Sequence, residues 1–204
     1  MNSVIIAIAG GTGSGKTYLT KHIAKKYSKK LLLIIDQDSY YNDISNMDFE
    51  IRCKQNFDHP NAIDIKLLNS HLEKLLNGKK VKVPCYDFKK HLRIKTKKIV
   101  EQHPIIIVEG ILMLHYINLH KFYSLKVFVD TPENIRLTRR IDRDKKYRGR
   151  TEKSIQLQYY KTVKPMHDNF VYPSKNYADI IINGSDKIND SVTIIKQHID
   201  LLSA

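Results

Sequence analysis

The stretch Ala9-Gly10-Gly11-Thr12-Gly13-Ser14-Gly15-Lys16-Thr17 constrains this chain more than any other feature. It has the spacing of a glycine, four residues, then Gly-Lys-Ser/Thr, and it follows an apolar run, Val4 to Ile8, with the length of a buried parallel strand. Four glycines within six positions let successive backbone N–H groups converge on a polyphosphate, and a helix N-terminus behind them adds its positive dipole end. Gly10 through Gly15 are therefore the expected phosphate cradle. Lys16 supplies a mobile positive charge for the outer phosphates and Thr17 a hydroxyl for Mg²⁺.

A phosphate loop between a strand and a helix predicts an α/β fold, and the remaining apolar runs agree. Leu19, Ile23 and Tyr27 recur at helical spacing behind the loop. Four further runs end abruptly in polar residues: Leu31 to Ile35 before Asp36, Ile105 to Val108 before Glu109, Val127 to Val129 before Asp130, and Ile180 to Ile182 before Asn183. Helical patterns separate them, including Ile65, Leu68, Leu72 and Leu76 closed by Gly78, a segment begun by Thr131-Pro132-Glu133, and a last one from Ile188 to Leu202. The alternation predicts a doubly wound sheet of five buried parallel strands in a single domain over 1–204, with ligands at the carboxyl edge. Lys79 to Val100 breaks the pattern and reads as a β-hairpin laid over that edge.

Composition excludes more than it assigns. The chain carries 35 basic and 21 acidic residues, a formal charge of +14, which a polyphosphate site and solvated lysines account for. No basic block is interleaved with aromatics, so nucleic acid is not the expected partner. No apolar run approaches the 18 or so residues of a membrane span, and two cysteines without a second thiol or histidines at metal spacing suggest neither zinc nor a disulfide framework. A soluble cytoplasmic protein is the expectation.

Asp38 is the first candidate for catalysis, because a carboxylate just past a strand and facing the phosphate loop can accept a hydroxyl proton during attack on a γ-phosphorus. Asp36 competes with it, and either could be a turn aspartate. Glu109 stands where the second acidic motif of such nucleotide-binding proteins reaches the metal, so Thr17, Glu109 and Asp38 are the candidate Mg²⁺ ligands. Asp58, in Asn56-Phe57-Asp58-His59-Pro60, offers an acceptor or a helix cap. Tyr86, Phe88 and His91 give a heterocycle stacking faces and hydrogen bonds, or simply pack the hairpin. Arg136, Arg140 and Arg143 fall at i, i+4 and i+7, and Arg139, Arg148 and Arg150 extend the cluster into a Lys-Lys-Tyr-Arg-Gly-Arg segment that reads as a mobile loop. Such a stretch, about 136–165, can form an arginine-rich lid over the phosphates, with Lys16, Arg139 and Arg143 sharing the catalytic work of Asp38.

These motifs, in this order and with Phe128-Val129-Asp130-Thr131 and Tyr177-Ala178-Asp179 after them, resemble the uridine kinases, also called uridine-cytidine kinases, over nearly the whole chain. The resemblance implies phosphoryl transfer from ATP or GTP to the 5′-hydroxyl of uridine and cytidine, with Mg²⁺, in a homotetramer. It implies Asp38 as the base, Asp58 and Arg136 on the ribose, Tyr86 and His91 on the pyrimidine edge, and Tyr41 as a further nucleoside contact. Arg139, Arg143 and Arg148 or Arg150 are implied around the phosphates. Cys85 and Glu152-Lys153 depart from the family's commoner residues.

Overall fold

The computed structural model of the chain describes residues 3–203. A five-stranded parallel sheet runs in the order β2-β5-β1-β6-β7, formed by β1 (Val4–Ala9), β2 (Leu32–Asp36), β5 (Ile105–Glu109), β6 (Leu125–Asp130) and β7 (Ile180–Asn183). The two-residue side-chain period of a strand divides β1 between two cores. Ile5, Ala7 and Ala9 face one side, with Leu68, Leu72 and Leu75 of α3 (Ile65–Leu76). Val4, Ile6 and Ile8 face the other, with Leu19 and Ile23 of α1 (Lys16–Ala24) and Val192, Ile195 and Ile199 of α7 (Ile188–Ser203). Every residue of β1 is buried, which is why the strand reads as an unbroken apolar run. The strand at the end of the sheet differs from the expected fully buried pattern: β7 pairs only with β6, and Ile181 is 51% exposed.

The predicted hairpin is present as β3 (Val81–Asp87) and β4 (Leu92–Val100), antiparallel and separate from the main sheet. Its register slips between Pro84 and Cys85, where proline cannot donate to the ladder. The Asp87 carboxylate accepts from Lys89 N and Lys90 N at 2.8 and 3.1 Å, closing the turn, and His91 follows in the left-handed region with φ 51°. Short helices complete the carboxyl edge: a 3-10 turn over Gln37–Tyr40 and α2 (Phe49–Cys53).

The arginine-rich segment departs from expectation. Lys145 to Arg148 are the last residues of α4 (Glu133–Arg148) rather than a loop, and the helix ends only at Gly149, φ 64°. Asp144 binds Arg148 at i, i+4, 3.5 Å, which supports helix in this dense run of charge. After Gly149 the chain turns into α5 (Glu152–Gln158), capped by Thr151, and continues through wide π-helical turns on either side of α6 (Lys164–Met166) before reaching β7. Pro165 lies between the π turns, where its missing N–H and its ring exclude an ordinary helical ladder.

Candidate active site

All the carboxyl ends of β1, β2 and β5 open into one cavity of about 1170 Å³, roofed by the hairpin on one side and α4 on the other. Its floor is the glycine loop. Gly13 has φ 77°, and a Cβ there would lie 2.2 Å from the Arg136 carbonyl oxygen, so the loop requires glycine both for conformation and for close approach to α4. Thr12, Gly13, Gly15, Lys16 and Thr17 line the cavity. Gly10, Gly11 and Ser14 do not; they form the back of the loop, with Ser14 O accepting from Thr131 Oγ1 at 2.9 Å. His167 packs against that back: a Cβ on Gly11 would meet its ring at 2.9 Å.

The first turn of α1 places Thr17 opposite the end of β5, where its hydroxyl donates to Glu109 Oε2 at 2.9 Å. Burial pushes the Glu109 carboxyl up, while the Lys16 charge and the Thr17 hydroxyl oppose the shift. Among the described residues no group of three or more acidic, histidine or cysteine side chains is set to hold a metal. Mg²⁺ does not need one, since it keeps several waters and takes one or two protein oxygens plus phosphate oxygens. A hydroxyl and a carboxylate in contact beside the phosphate loop fit that habit.

On the other side of the floor, Asp36 accepts from Asp38 N at 2.9 Å, fixing the short 3-10 turn that carries Asp38 into the cavity. Loss of hydration, with Asp38 and Glu109 nearby, pushes the Asp36 carboxyl up to about 7. Tyr41 is buried, and its hydroxyl pairs with Asp38. Burial raises the Tyr41 phenol far above its ordinary range, and the charges of Asp38 and Asp58 add to the effect. Asp58 lines the same cavity; burial raises its carboxyl and the Arg140 charge opposes it.

The hairpin adds an aromatic wall. Tyr86 packs against Tyr41 and Phe88 with ring centroids 4.9 and 5.3 Å apart, and His91 stacks on Phe57 at 5.3 Å and 14°. Burial, followed by the charges of Arg148 and Arg150, lowers the His91 pKa, so its ring is neutral at pH 7. The Tyr86 hydroxyl is buried without a hydrogen-bond partner among the described residues. Such a group is uncommon in folded proteins, and here it is an unused donor and acceptor inside a cavity.

Arginines close the remaining side. Arg139, Arg143, Arg148 and Arg150 line the cavity, and Arg139 Nη1 also donates to Gly184 O at 3.0 Å. Arg136 does not reach it. Its Nε donates to Thr131 O at 3.0 Å and its Nη1 to Tyr159 Oη at 3.3 Å, and it borders a second, open cavity with His167. The geometric reason is that α4 begins at Glu133, so Arg136 lies in the first turn, behind the glycine loop. One turn later Arg140, buried, donates to Thr12 Oγ1 at 2.9 Å and to Gln158 Oε1 at 3.0 Å. The helical stripe in the sequence contained Arg140 without distinguishing it from its neighbours. Gln158, which also accepts from Arg150 at 2.5 Å, had no signal at all.

A phosphate loop at the carboxyl edge of a parallel sheet, with a carboxylate-bearing turn and converging arginines, defines a nucleotide-binding kinase of the P-loop class. Residues 5–189 match the model of the phosphoribulokinase/uridine kinase family, and the chain belongs to that family. A relative named uridine kinase from Clostridium novyi is 46% identical over 198 residues, covering 96% of this chain and 95% of its own. One of the same name from Halalkalibacterium halodurans is 44% identical, covering 95% and 92%. The fold is shared more widely. A solved kinase from Silicibacter sp. TM1040, named for a fructose transport system, matches with TM-score 0.70 at 18% identity over 88% of this chain and 89% of that one.

Proposed function

We propose that this chain phosphorylates uridine and cytidine at the 5′-hydroxyl, with ATP or GTP as donor and one domain performing the reaction. The observation that carries the substrate assignment is the buried Tyr86 hydroxyl, unpartnered among the described residues, together with neutral His91, both packed on Phe57 in a wall of rings that lines the same cavity as Asp38. Uracil and cytosine differ at the 4-position, a carbonyl in one and an amino group in the other, so a wall that serves both must donate and accept. A phenol and a neutral imidazole each do both. The names of the relatives support the same reading.

In this reading the nucleoside lies with its base against the hairpin and its ribose between Asp58 and Arg140, the latter taking the role implied by resemblance for Arg136. Asp38 accepts the 5′-hydroxyl proton, with Tyr41 and the Asp36-braced turn fixing its position. The glycine loop and Lys16 hold the donor phosphates, and Arg139, Arg143, Arg148 and Arg150 offset the charge that spreads over the transferring group. Thr17 and Glu109, with Asp38 nearby, would hold Mg²⁺, which when bound neutralises donor phosphate charge. The cytoplasm and a homotetramer complete the proposal. Among the described residues no helix is long and apolar enough to cross a membrane.

ADP release measured with uridine, cytidine, adenosine, ribulose 5-phosphate and pantothenate tests it. Turnover confined to the two pyrimidine nucleosides is the expected result. Preference for ribulose 5-phosphate or pantothenate would move the chain to another branch of its family.

A further inference from the structure

Asp144 lies near the end of α4 with no solvent exposure, yet its carboxylate belongs to neither the phosphate loop nor the nucleoside wall. Four guanidinium groups surround it. Arg143 Nε donates to Oδ1 at 2.9 Å, Arg148 Nη1 stands 3.5 Å from the same oxygen, and Arg140 Nε and Arg150 Nη1 stand 3.7 and 3.8 Å from Oδ2. All four arginines also line the cavity, so one buried carboxylate backs every guanidinium of the set, while Arg140 is fixed further by Thr12 and Arg150 by Ser154 O. Gln158 ties the rear pair further, accepting from both Arg140 and Arg150. Among the described residues Asp144 Oδ2 has no hydrogen-bond partner: it acts on Arg140 and Arg150 by charge rather than by contact.

We infer that Asp144 is the positioning residue of the arginine cluster, a buried counter-charge that gathers four guanidiniums toward the phosphates. Two opposed effects follow. One carboxylate against four guanidiniums leaves the cluster positive, and removing it raises the positive potential in the cavity, which favours any polyanion. Removing it also releases the guanidiniums from a fixed geometry, and stabilisation of a transition state depends on donors already in place. Loss of the Asp144 charge therefore tightens ground-state anion binding and slows turnover, whereas simple damage to the helix weakens both. Turnover of uridine rests on the function proposed above, but binding of a polyphosphate does not.

The test is Asp144→Asn, read by calorimetry with inorganic tripolyphosphate and by steady-state kinetics with uridine. The expected result is a tripolyphosphate Kd about tenfold tighter, a kcat roughly 10- to 100-fold lower, and a uridine KM within about twofold of wild type. Weakened tripolyphosphate binding together with lower kcat would make Asp144 a helix brace and overturn the inference. So would two unchanged values, or tighter binding at full turnover. Asp144→Glu keeps the charge but displaces it. It should bind tripolyphosphate as the wild type does and still turn over slowly, so it decides the matter if the asparagine variant does not fold; wild-type kcat in Asp144→Glu overturns the positioning role. If the wild type does not phosphorylate uridine, the proposed function falls, and the tripolyphosphate shift alone decides the role of Asp144: tighter binding supports it and unchanged or weaker binding overturns it.

Discussion

Asp38 and Asp36 are two residues apart, and their environments separate their roles. Asp36 spends one oxygen on the Asp38 amide, and its carboxyl is pushed up to about 7, so near neutral pH it is a turn-forming group that an amide can imitate. Asp38→Asn should lower kcat by roughly 10² to 10⁴, the usual worth of a positioned base, with a smaller change in nucleoside KM. Asp36→Asn should cost far less, and the reverse order in measured kcat would show that the base had been assigned to the wrong carboxylate. His91→Ala removes one of two groups on the aromatic wall that both donate and accept. A loss of about 1–3 kcal/mol in kcat/KM for uridine and cytidine is expected, with adenosine gaining relative to them. Equal losses for all three nucleosides would place base selection elsewhere. Most of these residues were legible in the sequence because each sits where a strand ends or a turn begins, and such positions are marked by a change from apolar to polar residues. Arg136 was misleading for a physical reason: two arginines one helical turn apart look alike in sequence, and only the start of α4 decides which one passes the glycine loop.

At the scale of elements, the hairpin must be held at a fixed height over the turn that carries Asp38. Arg93 of β4 supplies the tie. Its Nη2 donates to Tyr40 O at 3.2 Å and to Asp64 Oδ2 at 3.1 Å, while Asp64 caps α3 through Leu67 N. One side chain thus joins the hairpin, the Asp38 turn and a core helix. Arg93→Met should lower Tm by about 2–8 °C and raise nucleoside KM, with little effect on the donor KM; scanning calorimetry and the two KM values check this. Equal changes in both KM values would show that the tie is purely structural. The sequence announced the hairpin through its broken alternation, but Arg93 is hidden there among lysines of the same charge. The helix over Lys145 to Arg148 was missed because repeated like charges read as loop, and Asp144, whose i, i+4 pair with Arg148 supports the last turn, is a single acidic residue set among those basic ones.

For the molecule as a whole, the segment between α5 and β7 returns behind the glycine loop and inserts His167 there. Burial, then the charge of Arg136, lowers its pKa from 6.5 to about 4. Between those values the unfolded chain binds a proton that the folded chain does not, so stability rises with pH across that window and falls as pH drops through it. His167→Gln should flatten the dependence of Tm on pH between about 4 and 6.5 relative to wild type; an unchanged slope would assign it to other histidines. The order of the sheet has a consequence for how the protein is made. Val4–Ala9 leaves the ribosome before the other strands of its sheet, yet its neighbours are β5 and β6, whose residues paired with it begin at Ile105 and Leu125. At about 5–20 residues per second, an entirely apolar strand therefore waits several seconds or longer for either partner. The glycine loop is written early and assembled late, because its backing from Thr131, Arg136 and His167 is translated later still. Nucleotide can thus stabilise the finished chain but not the nascent one, in which Leu19 and Ile23 of α1 are the first part of that strand's final apolar packing to be translated after it.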